Sequence, residues 1–330
     1  MVLIKGDDGS VHKRVKASSA QQADRYRKQK LVSRLGDSGF EEDLATCSPI
    51  CSSSTRTVPW PLHEDPAAGQ QSIWYLQYGD IGYRIQRERE TLFYPCKSLV
   101  LQPQVTTEAR CKLVSWLIPV HKHFRLSFEC CCLAVNIMDR FLACTPVAAD
   151  CFQLLGVTAL LLASKKVEVG SPSISDLLSL CCDAFTKGQL CNLECLILLR
   201  LHFRLGSPTL AFFLDYYTNH IEAVDKSVPR QCGNLARKVC ELSLADYAFN
   251  KYAPSLTAGC ALSLACELLQ PGLLQTAKNT TSPWDSMMET QCEADKTSAH
   301  QRPDLAQECT ENLKLLLALN RESLEVLSDM

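Results

Sequence analysis

The sequence predicts an all-α protein made of two consecutive five-helix bundles, preceded by a lead-in helix and a disordered tail. Between Ala109 and Leu205, five segments with apolar residues at helical spacing follow one another with short breaks. One of them, Phe152 to Ala163, is apolar on nearly every face, which indicates a helix surrounded by other helices. Every apolar segment between residues 72 and 325 has a helical rather than an alternating period, so no sheet is expected.

The first part of the chain has a different composition. Residues 1–70 are rich in Ser, Gln, Pro and charge, and they bury too little apolar surface to offset the entropy of ordering, which predicts a disordered tail. Its first 34 residues carry nine Lys and Arg against three Asp, which fits either a nuclear import patch or a solvated tail. Residues 71–106 are predicted to form the lead-in helix and a linker.

The boundary between the bundles is marked by proline. The first bundle is assigned to 107–205 and the second to 206–330, because Ser207 before Pro208 predicts a helix that begins at residue 208. Before the last helix of the first bundle, Thr186 and Gln189 form a capping box. Two apolar helices are predicted in the second bundle, Val239 to Leu244 and Leu256 to Leu269. The polar stretch from Thr276 to Arg302 is expected to be a long loop.

The cysteine count, the hydropathy and the net charge of the chain exclude several classes of protein. Nineteen cysteines are an odd count in a long chain without a secretory signal at its start, so free thiols that pack as small hydrophobes in a reducing compartment are expected. No C-x2-C pair occurs, and no cofactor or metal is expected. No apolar run reaches the roughly 18 residues of a membrane span, and the net charge of -2 gives no pull toward nucleic acid or membrane. The expected location is cytoplasmic and nuclear.

Motifs of common enzymes are also missing from the sequence. It has no Gly-rich phosphate loop, no nucleophile elbow and no H-E-x-x-H motif. His121 and His123 lie at a helix end without an obvious Ser or Cys partner, and such histidines are more often solvated or capping than catalytic. We therefore expect a non-catalytic protein.

Four charged residues fall in apolar helical surroundings. Arg110 and Asp139 belong to otherwise apolar segments and are predicted to form a buried ion pair. Lys165 ends the apolar helix, where a cation suits the helix dipole. Glu194 lies in the middle of an apolar arc and must either pair inside the protein or face an interface that supplies its partner. The arc consists of Leu190, Cys191, Ile197, Leu198 and Leu201.

Several segments, in order along the chain, resemble the cyclin family. The first bundle has three signatures: Arg110-Cys-Lys-Leu-Val-Ser-Trp-Leu117, Leu133-Ala-Val-Asn-Ile-Met-Asp-Arg-Phe-Leu142 and Leu161-Leu-Ala-Ser-Lys165. The lead-in region and the second bundle add further matches. These are Gly79-Asp-Ile81 with Tyr83, Gln102-Pro-Gln-Val-Thr106, Glu241-Leu-Ser-Leu-Ala-Asp246 and Tyr252-Ala-Pro-Ser-Leu-Thr-Ala-Gly259. The resemblance covers about residues 72 to 325 and implies two tandem cyclin folds.

The resemblance also implies a partner, a cyclin-dependent serine/threonine kinase of the type 1 or type 2 class, which the chain would bind and activate in cell-cycle control. Lys165 and Glu194 match the cyclin residues that contact the kinase, and Leu162, Ala163 and Leu198 would add apolar burial. Two positions depart from the family, because Lys166 replaces a frequent aromatic residue and Val167 follows it where an acidic residue is common.

A second site implied by the family is a shallow patch that docks short Arg-x-Leu motifs of substrate proteins. Leu113, Trp116 and Gln153 match it. Three other positions depart from the pattern, namely Ala109, Lys112 and Pro119, and a cation at Lys112 would repel a basic motif.

Two alternatives remain beside the kinase-binding hypothesis. One is an adaptor that uses the cyclin fold without a kinase. The other is a binding module like the basal transcription factors that grip DNA with two cyclin folds, which predicts a zinc ribbon and basic stripes. Residues 72 to 205 instead mix both signs of charge.

Overall fold

The structure is a computed structural model that describes residues 73–95, 98–221, 227–269 and 302–320. The predicted disordered tail lies outside these ranges, as does nearly all of the loop predicted from Thr276 to Arg302. In the described ranges all regular structure is helical, as the sequence predicts.

Ten α-helices are described. The lead-in helix is α1, Ile73–Glu90, followed by a short 3-10 turn, Thr91–Phe93. The first bundle contains α2 Thr107–His123, α3 Phe128–Cys144, α4 Phe152–Val167, α5 Ile174–Ser179 and α6 Lys187–Arg200. The described helices of the second bundle are α7 Leu210–Asn219, α8 Ser227–Ala245, α9 Pro254–Leu269 and α10 Arg302–Leu319, with a 3-10 turn, Tyr247–Lys251, between α8 and α9.

Polar side chains fix where these helices begin. The capping box predicted at Thr186 and Gln189 is present at the start of α6. The start predicted at residue 208 is wrong, because α7 begins at Leu210. The Thr209 hydroxyl accepts the backbone N–H of Phe212 at 3.1 Å, whereas Ser207 donates to the carbonyl of Pro208 and caps nothing.

Each bundle has a core built around one central helix. In the first bundle, α4 is buried from Leu154 to Ser164, which confirms the prediction of a helix surrounded by others, and it packs against α2, α3 and α6. In the second bundle, α9 packs against α7, α8 and α10. Helix α3 belongs to both cores, because Ile137 and Phe141 face the first while Cys131 and Cys132 face the second.

A buried guanidinium joins the two bundles. Arg110 on α2 is fully buried, and two of its nitrogens donate to the Asp139 carboxylate on α3 at 2.9 and 2.6 Å. The same guanidinium donates to the carbonyls of Leu244 and Ala245 at the end of α8, and to Asn250 in the next turn. Burial alone would lower the pKa of Arg110, but Asp139 outweighs it and the net shift is upward.

The cysteines in the described ranges are all free thiols. Many line the cores, where burial raises the thiol pKa: to about 12 for Cys130, and further above the usual value for Cys131, Cys132 and Cys240. These thiols therefore stay protonated and pack as small apolar groups.

His121, near the end of α2, is buried rather than solvated, contrary to the expectation from sequence. The residue is 3% exposed, and its Nδ1 has no hydrogen-bond partner among the described residues. Burial lowers the pKa of His121; nearby Glu241 opposes this shift and Lys122 adds to it. The reason is that α2 packs against α8, which covers a helix end that the sequence alone left open to solvent.

Breaking the Arg110–Asp139 pair should destabilise the protein severely. We expect Asp139→Ala to lower the free energy of unfolding by about 3 to 5 kcal/mol, because the substitution leaves a buried cation unpaired. Urea denaturation measures the change. The matched control is Glu108→Ala, which removes a pair with Lys112 of the same 2.6 Å length but on the open surface, and should leave the midpoint unchanged. Equal effects of the two substitutions would contradict this prediction.

Acid should destabilise the fold through His121. Because its folded pKa lies below the unfolded value of about 6.5, the unfolded state binds more protons in that window, and stability falls as pH drops below about 6.5. Thermal melts at about pH 7.5 and about pH 5.5 should show a smaller loss for His121→Gln than for the wild type. His123, exposed on the same helix, gives the control, and His123→Gln should keep the wild-type loss.

Candidate functional site

Lys165 and Glu194, the two charges singled out in the sequence, bind each other. Lys165 lies in the last turn of α4 and Glu194 in the middle of α6, and the packing of these helices brings the Lys165 Nζ within 2.6 Å of the Glu194 Oε1. The side chains are 46% and 15% exposed. The pair therefore lies at the surface, with the lysine open to solvent and the carboxylate largely covered.

This arrangement combines the two alternatives considered for Glu194. The carboxylate has an internal partner, but that partner is itself exposed. Lys165 uses one of its three N–H donors on Glu194, and the pair therefore keeps polar groups available to a molecule that covers it. Sequence reasoning treated the two residues separately, because 29 positions separate them and only the α4–α6 packing makes them neighbours.

The three apolar residues expected beside the pair differ in how far they are buried. Leu162 and Ala163 lie in the core, 3% and 0% exposed, so they have almost no free surface to offer a partner, and Leu198 is half-buried against the same core. The exposed apolar surface is instead on the outward face of α6 and just beyond it, where Leu199 is 62% and Phe203 68% exposed. The packing of other helices around α4, which the sequence predicts, explains the small exposure of Leu162 and Ala163; their contribution to kinase binding stays a prediction.

The end of α4 is anchored to the start of α3. Glu168 accepts hydrogen bonds from the backbone N–H and the hydroxyl of Ser127, at 2.8 and 2.7 Å. This contact fixes the turn that follows Lys165 and Lys166, so both lysines project from a defined backbone.

The candidate docking patch lies on α2 and α4. Leu113 is buried and packs over Gly156, where a Cβ atom would come within 3.0 Å of it, while Trp116 is half-buried against the core and Gln153 is partly exposed. Lys112 is exposed beside this patch and pairs with Glu108. The contact between α2 and α4 thus covers Leu113, and of the three matched residues only Trp116 and Gln153 stay partly exposed.

A metal-binding cluster and a membrane-spanning helix are both absent from the described ranges. No group of three or more His, Cys, Asp and Glu residues there is arranged to hold a metal ion. None of the helices in these ranges has both the length and the apolar character that a bilayer crossing requires.

Comparison with known proteins identifies the family. The model of the cyclin N-terminal domain matches residues 81–206, and that of the cyclin C-terminal domain matches residues 208–322. The chain belongs to the cyclin family. Cyclin-O protein B of Xenopus laevis is 44% identical over 91% of this chain and 79% of its own length. Human cyclin-O is 47% identical over 81% of this chain and 71% of its own length.

More distant cyclins resemble a smaller part of the chain. Human cyclin-A1 is 36% identical over 69% of this chain and 48% of its own length. Among solved structures, a viral cyclin from herpesvirus saimiri superposes with a TM-score of 0.56 at 23% identity, over 71% of this chain and 96% of that one, which supports the fold. Within the family, the segments Pro146 to Gly156 and Cys191 to Cys195 most resemble cyclin O, in agreement with the relatives found. Membership gives this cyclin a regulatory role.

The surface position of the Lys165–Glu194 pair predicts a small effect on folding. Glu194→Ala should change the free energy of unfolding by less than about 1 kcal/mol, because its cationic partner is half-exposed and returns to solvent. Thermal melts followed by circular dichroism measure this. A loss of about 3 to 5 kcal/mol, as expected for Asp139→Ala, would instead make the pair part of the structural core.

Proposed function

We propose that this cyclin binds and activates a cyclin-dependent serine/threonine kinase of the type 1 or type 2 class, with the Lys165–Glu194 pair at the centre of the contact. The observation that carries the proposal is a charged pair that is fixed in position but open on one side. By their resemblance to the cyclin pattern, Lys165 and Glu194 match the residues with which cyclins contact their kinase, and this resemblance supports the proposal.

The two side chains offer complementary groups to a partner. Lys165 can donate to a backbone carbonyl, and Glu194 can accept a backbone N–H through its second oxygen. Such bonds suit the end of a helix, where carbonyls and N–H groups lack partners within the helix. The helix proposed to dock here is the αC helix of the kinase, whose position completes the Lys–Glu ion pair of the kinase active site.

Exposed apolar side chains on α6, the helix that carries Glu194, and just after it would supply most of the burial. Leu199 and Phe203 are more than half exposed, and Leu196 adds a third apolar side chain on the outward face of α6. Adjacent apolar groups at a surface are typical of a contact with another protein. Leu198 would contribute through the part of its side chain that the core leaves uncovered.

The remaining functional proposals follow from resemblance. Substrate proteins would reach the complex through the kinase and, to a smaller extent, through the patch around Trp116. The likeness to cyclin O links the chain to the centriole amplification that precedes multiciliated cell differentiation. A kinase complex of this type would act in the cytoplasm and nucleus. We propose no catalytic activity for the isolated chain.

Removing the pair should abolish kinase binding and leave the fold intact. We expect the double substitution Lys165→Ala and Glu194→Ala to lower the affinity for the kinase about tenfold or more, because groups of the partner would lose their charged bonding partners in a covered interface. A pull-down of type 1 and type 2 kinases followed by titration measures this, with thermal melts as the test of folding.

Two further variants sharpen the experiment. The charge exchange Lys165→Glu with Glu194→Lys keeps an internal pair but reverses the charges that the partner meets, so it should fail to bind as well. The double substitution Glu108→Ala and Lys112→Ala removes another exposed pair of the same length and should bind normally. A Lys165→Ala, Glu194→Ala protein that still binds and activates its kinase would overturn the assignment of both residues.

A further inference from the structure

Two thiols meet in the second bundle where α9 packs against α10. Cys260 on α9 donates a hydrogen bond to the carbonyl of Ala306 on α10, with 3.6 Å between its Sγ and the oxygen. Cys309 lies three residues after Ala306 on the same face of α10, and its thiol hydrogen-bonds with that of Cys260. Both cysteines are free thiols and belong to the core of this bundle. The α9–α10 contact therefore holds two sulfur atoms side by side.

Hydroxyl groups from both helices surround the thiol pair. Thr310 on α10 donates to the carbonyl of Ala306 at 2.9 Å, the carbonyl that Cys260 also contacts, and it hydrogen-bonds with Cys260. Thr257, one turn before Cys260 on α9, hydrogen-bonds with Cys309. Cys309 is fully buried, whereas Cys260 is 8% exposed at the edge of the core. Of the two thiols, Cys260 is therefore the one that a molecule as small as water reaches first.

The pair differs from other core thiols in its protonation. A hydrogen bond from Cys309 to the ionised sulfur lowers the pKa of Cys260, although burial opposes this shift. The same hydrogen bond, together with burial, raises the pKa of Cys309, which keeps its proton. For Cys131 and Cys240, in contrast, burial raises the pKa. A more acidic thiol beside a protonated one is the arrangement in which oxidation of the first is followed by a disulfide with the second.

We propose that Cys260 and Cys309 form a redox site, at which hydrogen peroxide produces a reversible disulfide that links α10 to α9. The Cys260 thiolate attacks one peroxide oxygen, so that an S–O bond forms, the O–O bond breaks and the released hydroxide takes up a proton to become water. The Cys309 sulfur then attacks the Cys260 sulfur, the S–S bond forms and the S–O bond breaks. A second water leaves with the proton of Cys309. The two thiols lose two electrons, and the peroxide gains them.

A covalent link matters here because of how α10 is attached. Its buried side chains lie on one face, with Cys309 and Leu313 fully covered. Its ion pairs to the rest of the bundle, from Glu308 to Lys251 and from Lys314 to Glu267, are about half exposed, and such pairs add little to stability. A helix held in this way can open before the bundle unfolds. The disulfide would keep α10 on α9 during such opening.

The disulfide would also stabilise the protein through its unfolded state. Since α9 and α10 are far apart in the sequence, the bond closes a long loop, and it lowers the entropy of the unfolded chain accordingly. Reduction by a thiol restores both cysteines, which distinguishes this product from the sulfinic and sulfonic acids of oxidative damage. The site lies in the second bundle, so the inference does not depend on the proposed kinase contact.

Oxidation of the purified full chain tests the inference. The reduced protein is treated with hydrogen peroxide, the remaining thiols are blocked, and peptide mass spectrometry identifies the disulfides. We expect a Cys260–Cys309 disulfide and a rise of the thermal midpoint by roughly 5 to 10 °C, which dithiothreitol reverses. Cys309→Ala should show no rise and should instead accumulate a sulfenic acid at Cys260, which dimedone traps. The disulfide is measured in the wild-type chain itself, so the test holds even if this variant folds poorly.

A second thiol pair in the same bundle gives a matched control. Cys232 on α8 and Cys266 on α9 are also hydrogen-bonded, but burial raises the pKa of Cys266 to about 12, so its thiolate is scarce at neutral pH. Cys232→Ala with Cys266→Ala should keep both the Cys260–Cys309 disulfide and the rise of the midpoint. A wild-type chain in which peroxide oxidises the exposed Cys195 but forms no Cys260–Cys309 disulfide would overturn the inference. A rise that persists in Cys309→Ala would overturn it as well.

Discussion

A buried arginine must find its hydrogen-bond acceptors inside the protein, and those of Arg110 come from both bundles. Asp139 supplies the opposite charge from α3, while the carbonyls at the end of α8 and the amide of Asn250 supply the rest. Since α8 would leave these carbonyls without helical partners, the guanidinium also completes that helix end. The first bundle therefore cannot shift against the second without exposing a charge to an apolar interior.

The Arg110 contacts also help to position the candidate site, because they orient helices that pack against it. Asp139 fixes α3, and the neighbouring Arg140 on the same helix lies over the ring of Phe93 and donates to the carbonyl of Arg204 after α6. Helix α3 contacts α4 and α6, which carry Lys165 and Glu194. The proposed kinase-binding face therefore lies on helices that are packed against one another, so its charged side chains are positioned before a partner binds and the ordering cost of binding is small.

Local sequence patterns predict most of the helices. Most of the features that the sequence did not predict depend on contacts between residues far apart in the chain. The helical period, the apolar α4 and the capping box at Thr186 each depend on residues within a few positions of one another. The predicted start of α7 was two residues too early. The sequence has two hydroxyl residues near this start, Ser207 and Thr209, and only Thr209 has the geometry to cap the helix. The Lys165–Glu194 pairing and the burial of His121 depend on which helices meet. The contacts of Arg110 are a further case, because its acceptors on α3, at the end of α8 and at Asn250 come from separate stretches of the chain.

The positions of the cysteines determine which thiols of this chain an oxidant can reach. Core thiols such as Cys131 and Cys240 are both covered and held protonated, so they resist oxidation until a bundle opens. Cys195, by contrast, is exposed on the outward face of α6, beside Leu199. Oxidative damage would then alter the partner-facing surface well before it reached the interior, and the cyclin could lose its recognition chemistry while both bundles remain folded.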